Sequence, residues 1–212
     1  GPRFEPPGHA YGTMSAHFDF ICTYSKAIDT IHTLYNQMQQ VVKIGLISDN
    51  HGHWDERLSH HLQDCDEIWH AGDIGRLEVT DAIDALKPKQ TRIVFGNIDN
   101  HLIRAEFDEE LLWEIQGLKF YMTHIGGRPG RYAKGVRAAL LQHKPDVFVC
   151  GHSHLLLIKR DASWGGLYVN PGACGMHGFH KKRTLIKFEV KNGKLDQMQV
   201  IELGDRSSSR GV

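Results

Sequence analysis

The sequence predicts an α/β fold of two packed β-sheets with helices outside them. Three observations carry this expectation. Short β-branched-rich runs recur along the first part of the chain, and helical patterns separate them. Beyond His154 the helical patterns stop and hairpin-like runs take over.

The elements can be justified in order. Residues 1–13 are rich in Pro and Gly and read as a tail, in which Gly1-Pro2 looks like a protease-cleavage scar. Residues 14–40 form an extension, where Ile28, Ile31, Leu34, Tyr35 and Met38 make one apolar stripe of a helix over 25–40. That helix is a candidate surface for homo-oligomer formation. From residue 41 to 204 one domain is expected, with a polar tail over 205–212. Residues 41–48 read as a buried strand that delivers Asp49. The same device recurs at 67–71 before Gly72-Asp73, at 92–95 before Gly96-Asn97, at 119–123 before His124 and at 146–150 before Gly151-His152. Helical patterns occupy 54–63, 77–86 and 134–143, the last stopped by Pro145. Residues 155–160, 166–169, 184–190 and 194–202 read as antiparallel strands, one pair turned at Asn192-Gly193.

Composition removes several function classes. The 212 residues carry 25 Lys+Arg and 25 Asp+Glu, so no overall basic field exists to drive general nucleic-acid binding. The longest apolar run, 155–158, is far too short for a membrane span. The four cysteines are scattered without a CxxC pair, which suggests free thiols in a reducing cytoplasm. Histidine is the anomaly, with 15 residues that partly cluster at strand ends.

That cluster carries the chemistry. Asp49, His51, Asp73, Asn97, His124, His152 and His154 each follow a strand, where the loops of an open α/β sheet converge. Carboxylate, imidazole and amide oxygens suit hard or borderline divalent cations. Seven such residues are enough for two ions if one carboxylate bridges them. A pair of ions polarises a phosphoryl oxygen and generates a hydroxide for in-line attack. Gly72, Gly96 and Gly151 beside the ligands are expected to make tight strand-to-loop turns.

The motifs Asp49-Asn50-His51, Gly72-Asp73, Gly96-Asn97-Ile98-Asp99, Thr123-His124 and Gly151-His152-Ser153-His154 resemble, in order, those of the calcineurin-like metallophosphoesterases. The resemblance covers about residues 43–183, including Asn170-Pro171-Gly172, and is greatest to the small phosphodiesterase branch of bacteria and archaea. It implies a four-layer αββα sandwich of two mixed β-sheets flanked by helices. It also implies roles: Asp49, His51 and His154 on one metal, Asn97, His124 and His152 on the other, and Asp73 between them. Mn²⁺ is the working ion the resemblance implies, with Fe, Zn, Ni, Co or Mg as alternatives. The wider family has a histidine after the Asn of the third motif, thought to protonate the leaving group. This chain has Ile98 there, followed by Asp99. The small branch also tends to lack that histidine and to keep the Asp, so the expectation favours phosphodiesters over unactivated monoesters, with Asp99 a candidate acid. A non-catalytic protein-binding scaffold of the same fold is the competing class, since a retromer subunit resembles these enzymes.

Outside the motifs, Arg128 and Arg131 follow His124 and are candidate phosphate contacts, with Asn97, through forked hydrogen bonds. His70 is expected to be a hydrogen-bonded core residue, and His60 and His61 solvated ones. His53, His177 and His180 are left between loop polarity and a place at the site edge.

Overall fold

The computed structural model describes Ile28, Thr30, Ile31 and residues 40–206. Apart from those three helical residues and Gln40, which is not helical, the expected helix over 25–40 lies outside the described residues, as does most of the oligomer surface it offered.

From Val41 the chain builds two five-stranded sheets. The first has the order β12 (Lys194–Asp205), β11 (Lys182–Lys191), β1 (Val42–Ile47), β2 (Glu67–His70), β3 (Gln90–Ile93). The second runs β4 (Glu110–Ile115), β5 (Leu118–Thr123), β8 (Val147–Val149), β10 (Gly166–Pro171), β9 (Leu156–Asp161). Strands β1, β2 and β3 are parallel to one another, as are β5, β8 and β10, while the hairpins add antiparallel edges. Both sheets are therefore mixed, as expected.

Alternation along the strands sorts side chains into three apolar layers. Ile44, Leu46, Trp69, Phe120, Met122, Val147 and Val149 fill the space between the sheets. Ile47 and Ile68, on the other face of the first sheet, pack on Leu58 and Leu62 of helix α1 (Glu56–Leu62), on Val79 and Ile83 of α2 (Leu77–Ala85), and on Ile103 of α3 (His101–Glu106). Tyr121, Phe148 and Tyr168 face Val136 and Leu140 of α4 (Val136–His143). The order helix, sheet, sheet, helix follows directly. Each fully buried large side chain contributes about 1.5–3 kcal/mol relative to exposure.

A strand, a short helix and a small hairpin were not anticipated. In β4, Leu111, Trp113 and Ile115 alternate with exposed residues, and Trp113 meets Trp69 edge to face at 4.7 Å. Helix α3 is a short one capped by Asn100, whose side chain accepts from the backbone N–H of Leu102 and Ile103. The Arg128–Arg131 segment is a small hairpin, β6 (Gly127–Arg128) with β7 (Arg131–Tyr132), rather than a loose turn. Strand β12 extends to Asp205, so regular structure runs one residue past the expected boundary. No helix of the described residues is long and apolar enough to cross a membrane.

Candidate metal centre

The C-terminal ends of β1, β2 and β3 in one sheet face those of β5 and β8 in the other, and the seven expected ligand residues stand on the loops that leave them. Backbone bonds tie these loops together. Asp49 N–H donates to Gly72 O at 3.0 Å, His51 N–H to Asp73 O at 3.0 Å, and Gly151 N–H to His124 O at 3.0 Å.

Two groups of ligand atoms result. Those of Asp49, His51 and His154 lie within 4.8 Å of one another, as do those of Asp73, His124 and His152. Asp73 reaches both groups, with Oδ1 3.1 Å from His124 Nε2 and Oδ2 3.7 Å from His51 Nε2. Asn97 Oδ1 lies 3.1 Å from His124 Nε2.

The backbone is bent to achieve this. Asp49, His51, Asp73, His152 and His154 all have positive φ, between 49° and 67°. Non-glycine residues held in that region cost of order 1 kcal/mol or more each, and such outliers gather at functional sites. Nothing in the sequence pattern marks them. The glycines beside them act differently from expectation. Gly72 has φ 93°, which fits the turn argument, but Gly96 and Gly151 have no positive φ. They are required by proximity: a Cβ on Gly96 would lie 2.0 Å from Asp73 Oδ1, and one on Gly151 2.0 Å from Ser48 Oγ.

The hydrogen-bond partners assign the imidazole tautomers. His124 Nδ1–H donates to Ala71 O at 2.7 Å, which leaves Nε2 to face Asp73 and Asn97. His180 Nε2–H donates to Gly175 O at 3.1 Å, so its Nδ1 accepts from His154 Nδ1–H at 3.3 Å. His154 Nε2 is then bare, 3.2 Å from His51 Nε2 and 3.2 Å from Asp49 Oδ1. Asp49 is fully buried, and its Oδ1 has no hydrogen-bond donor among the described residues. Lone pairs thus converge on lone pairs, an arrangement that divalent cations satisfy and that a neutral apo site does not. The residues present fit the metal centre that the motifs imply.

Charge preferences agree. Burial disfavours the charged form of His124, but the Asp73 hydrogen bond and the Asp49 charge outweigh it and raise its pKa above the usual histidine value. His51 is lowered, chiefly by burial. Asp73 is held below the ordinary carboxylate range: burial opposes ionisation, and the His124 contact and the Ile98 N–H overcome it.

Around the ligands lies a supporting network. His70 is a buried core histidine, as expected: its Nε2–H donates to Asn50 Oδ1 at 2.8 Å and its Nδ1 accepts Gly72 N–H at 3.0 Å. Both ring nitrogens are committed in the neutral form, and burial pushes its pKa down to about 4. His180 is also buried and orients His154, a role its sequence position could not reveal because the two are 26 residues apart. His177 is exposed with its ring 4.9 Å from that of His51. His53 turns to Asp55, and His60 is exposed with His61 half-buried beside it.

Asp99, the candidate acid, is buried and bound by backbone donors. Its Oδ1 accepts Gly75 N–H at 2.7 Å, and its Oδ2 accepts Gly96 N–H at 2.7 Å and Ile74 N–H at 3.2 Å. These bonds tie together the loops that carry Asp73 and Asn97, so the carboxyl is built into the frame of the site. Ile98 is 46% exposed beside the site, so the position that would hold a histidine presents an alkyl chain. Next to Asn97 and His124 opens a cavity of about 670 Å³, with Phe95, Tyr121, Ile125 and Val136 as apolar wall and Arg104, Glu109 and Lys134 as polar lining. Arg128 and Arg131 line neither this cavity nor the ligand groups; they border a separate cleft.

Comparison with known proteins places this geometry. A search of the curated proteins finds no match. Among solved structures, an archaeal phosphodiesterase is 23% identical with a TM-score of 0.59, covering 76% of this chain and 100% of that one. Vps29 of Entamoeba histolytica, complexed with zinc, is 15% identical with a TM-score of 0.55, covering 76% of this chain and 99% of that one. A conserved protein of Streptococcus pneumoniae, described as a predicted phosphoesterase, is 16% identical with a TM-score of 0.53, covering 77% of this chain and 98% of that one. At these identities the likeness is one of fold. The model of the calcineurin-like phosphoesterase superfamily domain, however, matches residues 42–193, most of the chain, and the chain belongs to that superfamily.

Proposed function

We propose that the protein is a divalent-metal-dependent phosphodiesterase with a dinuclear centre, Mn²⁺ being its working ion. One observation carries the reading: Asp73 belongs to one group of ligand atoms and turns its other carboxylate oxygen toward the second. Asp49, His51 and His154 would hold one ion, and Asn97, His124 and His152 the other, with Asp73 shared. Bound there, the pair would polarise a phosphoryl oxygen and activate water for in-line attack on phosphorus.

The remaining work falls to the chain itself. Ala71 O and His180 keep the Nε2 atoms of His124 and His154 aimed at the centre. Asn97 supplies a neutral oxygen at the mouth of the 670 Å³ cavity, which is roomy enough for the organic arm of an ester. Asp99 acts as a positioning residue, locking the loops that carry Asp73 and Asn97. With Ile98 in place of a proton donor, good leaving groups are favoured, and this supports diesters over monoesters. The Vps29 likeness supports a second reading, a non-catalytic scaffold. The intact ligand set weighs against it.

The test compares Mn²⁺-dependent turnover of an aryl phosphodiester with that of the corresponding monoester, for wild type, Asp73→Asn and His124→Ala. Diester turnover by wild type should exceed monoester turnover, and each substitution should lower it at least about 100-fold, as for a misplaced catalytic group. Undiminished activity in both variants sinks the dinuclear reading, and no hydrolysis of either ester by metal-loaded wild type supports the scaffold.

A further inference from the structure

A second concave site lies beyond the ligand groups. The β6–β7 hairpin and β9 enclose a cleft of about 480 Å³ lined by Arg128, Pro129, Gly130, Arg131, Leu157 and Lys159. Three of its six lining residues are cations and none is a carboxylate. None of the three is ion-paired among the described residues; the carboxylate two residues after Lys159, Asp161, is engaged by the Tyr132 hydroxyl and by Ser163 N–H.

The backbone that carries the arginines is an ordered hairpin. Pro129 and Gly130 fill the turn, and Gly130 takes φ 82°, the sign a type II turn requires at its second central residue. Arg128 and Arg131 are directly opposite partners in the ladder. Cross-strand partners have Cβ atoms about 4.5–5.5 Å apart, and like charges in that relation destabilise the pair. The hairpin is nevertheless anchored at its base. Tyr168 hydroxyl donates to Gly127 O at 2.7 Å, Ala133 N–H to Gly126 O at 3.1 Å, and Trp164 Nε1–H to the Tyr132 hydroxyl at 2.7 Å. The hairpin therefore places two like charges opposite one another, a pairing that a bound anion would relieve, on a cleft that Lys159 also lines.

The cleft is also close to the centre along the chain. Arg128 is four residues from His124 and Leu157 three from His154. Their backbones therefore lie within at most about 14 Å and about 11 Å of those ligands.

We infer that Arg128, Arg131 and Lys159 bind a second anionic group of the substrate, so that the preferred ester carries a further phosphate beyond the one cleaved. This rests on the phosphodiesterase reading above for its location, not for its chemistry. A short oligonucleotide with a phosphorylated end and a dinucleotide bridged by a diphosphate both offer that second phosphate.

The experiment uses the full chain and the variant Arg128→Gln/Arg131→Gln/Lys159→Gln, three exposed positions whose change leaves the core intact. Mn²⁺-loaded protein is assayed with bis(p-nitrophenyl) phosphate and ApA, which carry one phosphate, and with pApA and P1,P2-diadenosine diphosphate, which carry two. KM for at least one two-phosphate substrate should rise tenfold or more in the variant, with kcat/KM for the one-phosphate esters within twofold of wild type. Which of the two responds identifies the source of the second phosphate. Unchanged KM values for both overturn the inference. Calorimetric titration of EDTA-treated protein with pApA and with P1,P2-diadenosine diphosphate separates the two readings: a loss of affinity in the variant for either supports the cleft even if no ester is hydrolysed, and equal affinity for both overturns it.

Discussion

Substituting Gly96 by alanine tests whether proximity, rather than turn geometry, is what this position contributes to the site. Its backbone has no positive φ, so alanine adds no conformational strain. The added Cβ would lie 2.0 Å from Asp73 Oδ1 and 2.2 Å from the Asp73 backbone nitrogen. Ordinary carbon contacts begin near 3.5 Å, so the Asp73 loop and the end of β3 must part by about 1 Å or more. The side chain cannot simply swing aside, because the clash includes backbone and because Ile98 N–H already holds Asp73 Oδ1 at 3.1 Å. Overpacking of this kind costs about 1–3 kcal/mol. In a chain of this size that lowers Tm by roughly 2–12 °C, at about 2–4 °C per kcal/mol. The larger effect is expected on catalysis, since a 1 Å misplacement of a catalytic element costs about 100-fold. Thermal unfolding followed by circular dichroism and Mn²⁺-dependent diester hydrolysis measure the two effects. Gly117→Ala is the control, because Gly117 has φ 86° but open space around it, so it should lose about 1 kcal/mol of stability and no activity. Wild-type activity in Gly96→Ala refutes the reasoning.

Further expectations concern the surrounding network. Mn²⁺ at 100 times its dissociation constant should stabilise EDTA-treated protein by about 2.7 kcal/mol. The rise in Tm should shrink in Asp49→Asn, and an equal rise would place the ions elsewhere. Asp55 caps α1 and pairs with Arg183, which is 1% exposed. Burial opposes ionisation of Asp55, but the Arg183 and Leu58 hydrogen bonds hold its pKa at about 2. Asp55→Ala should cost about 2–4 kcal/mol in urea unfolding, from the lost cap and the stranded guanidinium, and Asp55→Ala/Arg183→Met should recover part of it. A double variant less stable than the single one contradicts the pairing argument. For His70, the folded pKa of about 4 lies below the 6.5 of the unfolded chain. The unfolded state takes up the proton first, so stability is intact above pH 6.5 and is lost as pH falls toward 4, by about 3 kcal/mol in all. Urea unfolding of metal-free protein between pH 7 and 4.5 should show a shallower loss in His70→Asn than in wild type; parallel curves would remove His70 as the cause.

Much of the fold was legible because its signals are local. Residues 41–48, 67–71, 119–123 and 146–150 announce strands by β-branched and aromatic composition, and each strand leads into a loop that carries a candidate ligand. Strand β4 was missed although Leu111, Trp113 and Ile115 alternate and the turn Gln116-Gly117 follows. That signal was present in the pattern. Helix α3 is only six residues long, too short for a stripe to stand out, and its cap at Asn100 was its one local mark.

By itself the sequence determined which side chains are candidates for the centre, because the identity of Asp49, His51, Asp73, Asn97, His124, His152 and His154 and their place after each strand follow from covalent order. Only the tertiary structure decided how they act. Asp99, a candidate proton donor in sequence, accepts from three amides that come from two different loops. His180 orients His154, and Gly96 leaves room for Asp73, through contacts between segments 26 and 23 residues apart. Arg128 and Arg131 follow a ligand in the chain yet open onto a cleft of their own with Lys159. The physical reason is common to all of these. A strand's face is set by the alternation of its own residues, whereas a hydrogen-bond partner, a left-handed φ or a close backbone approach exists only once two sheets have packed and forced their loops together.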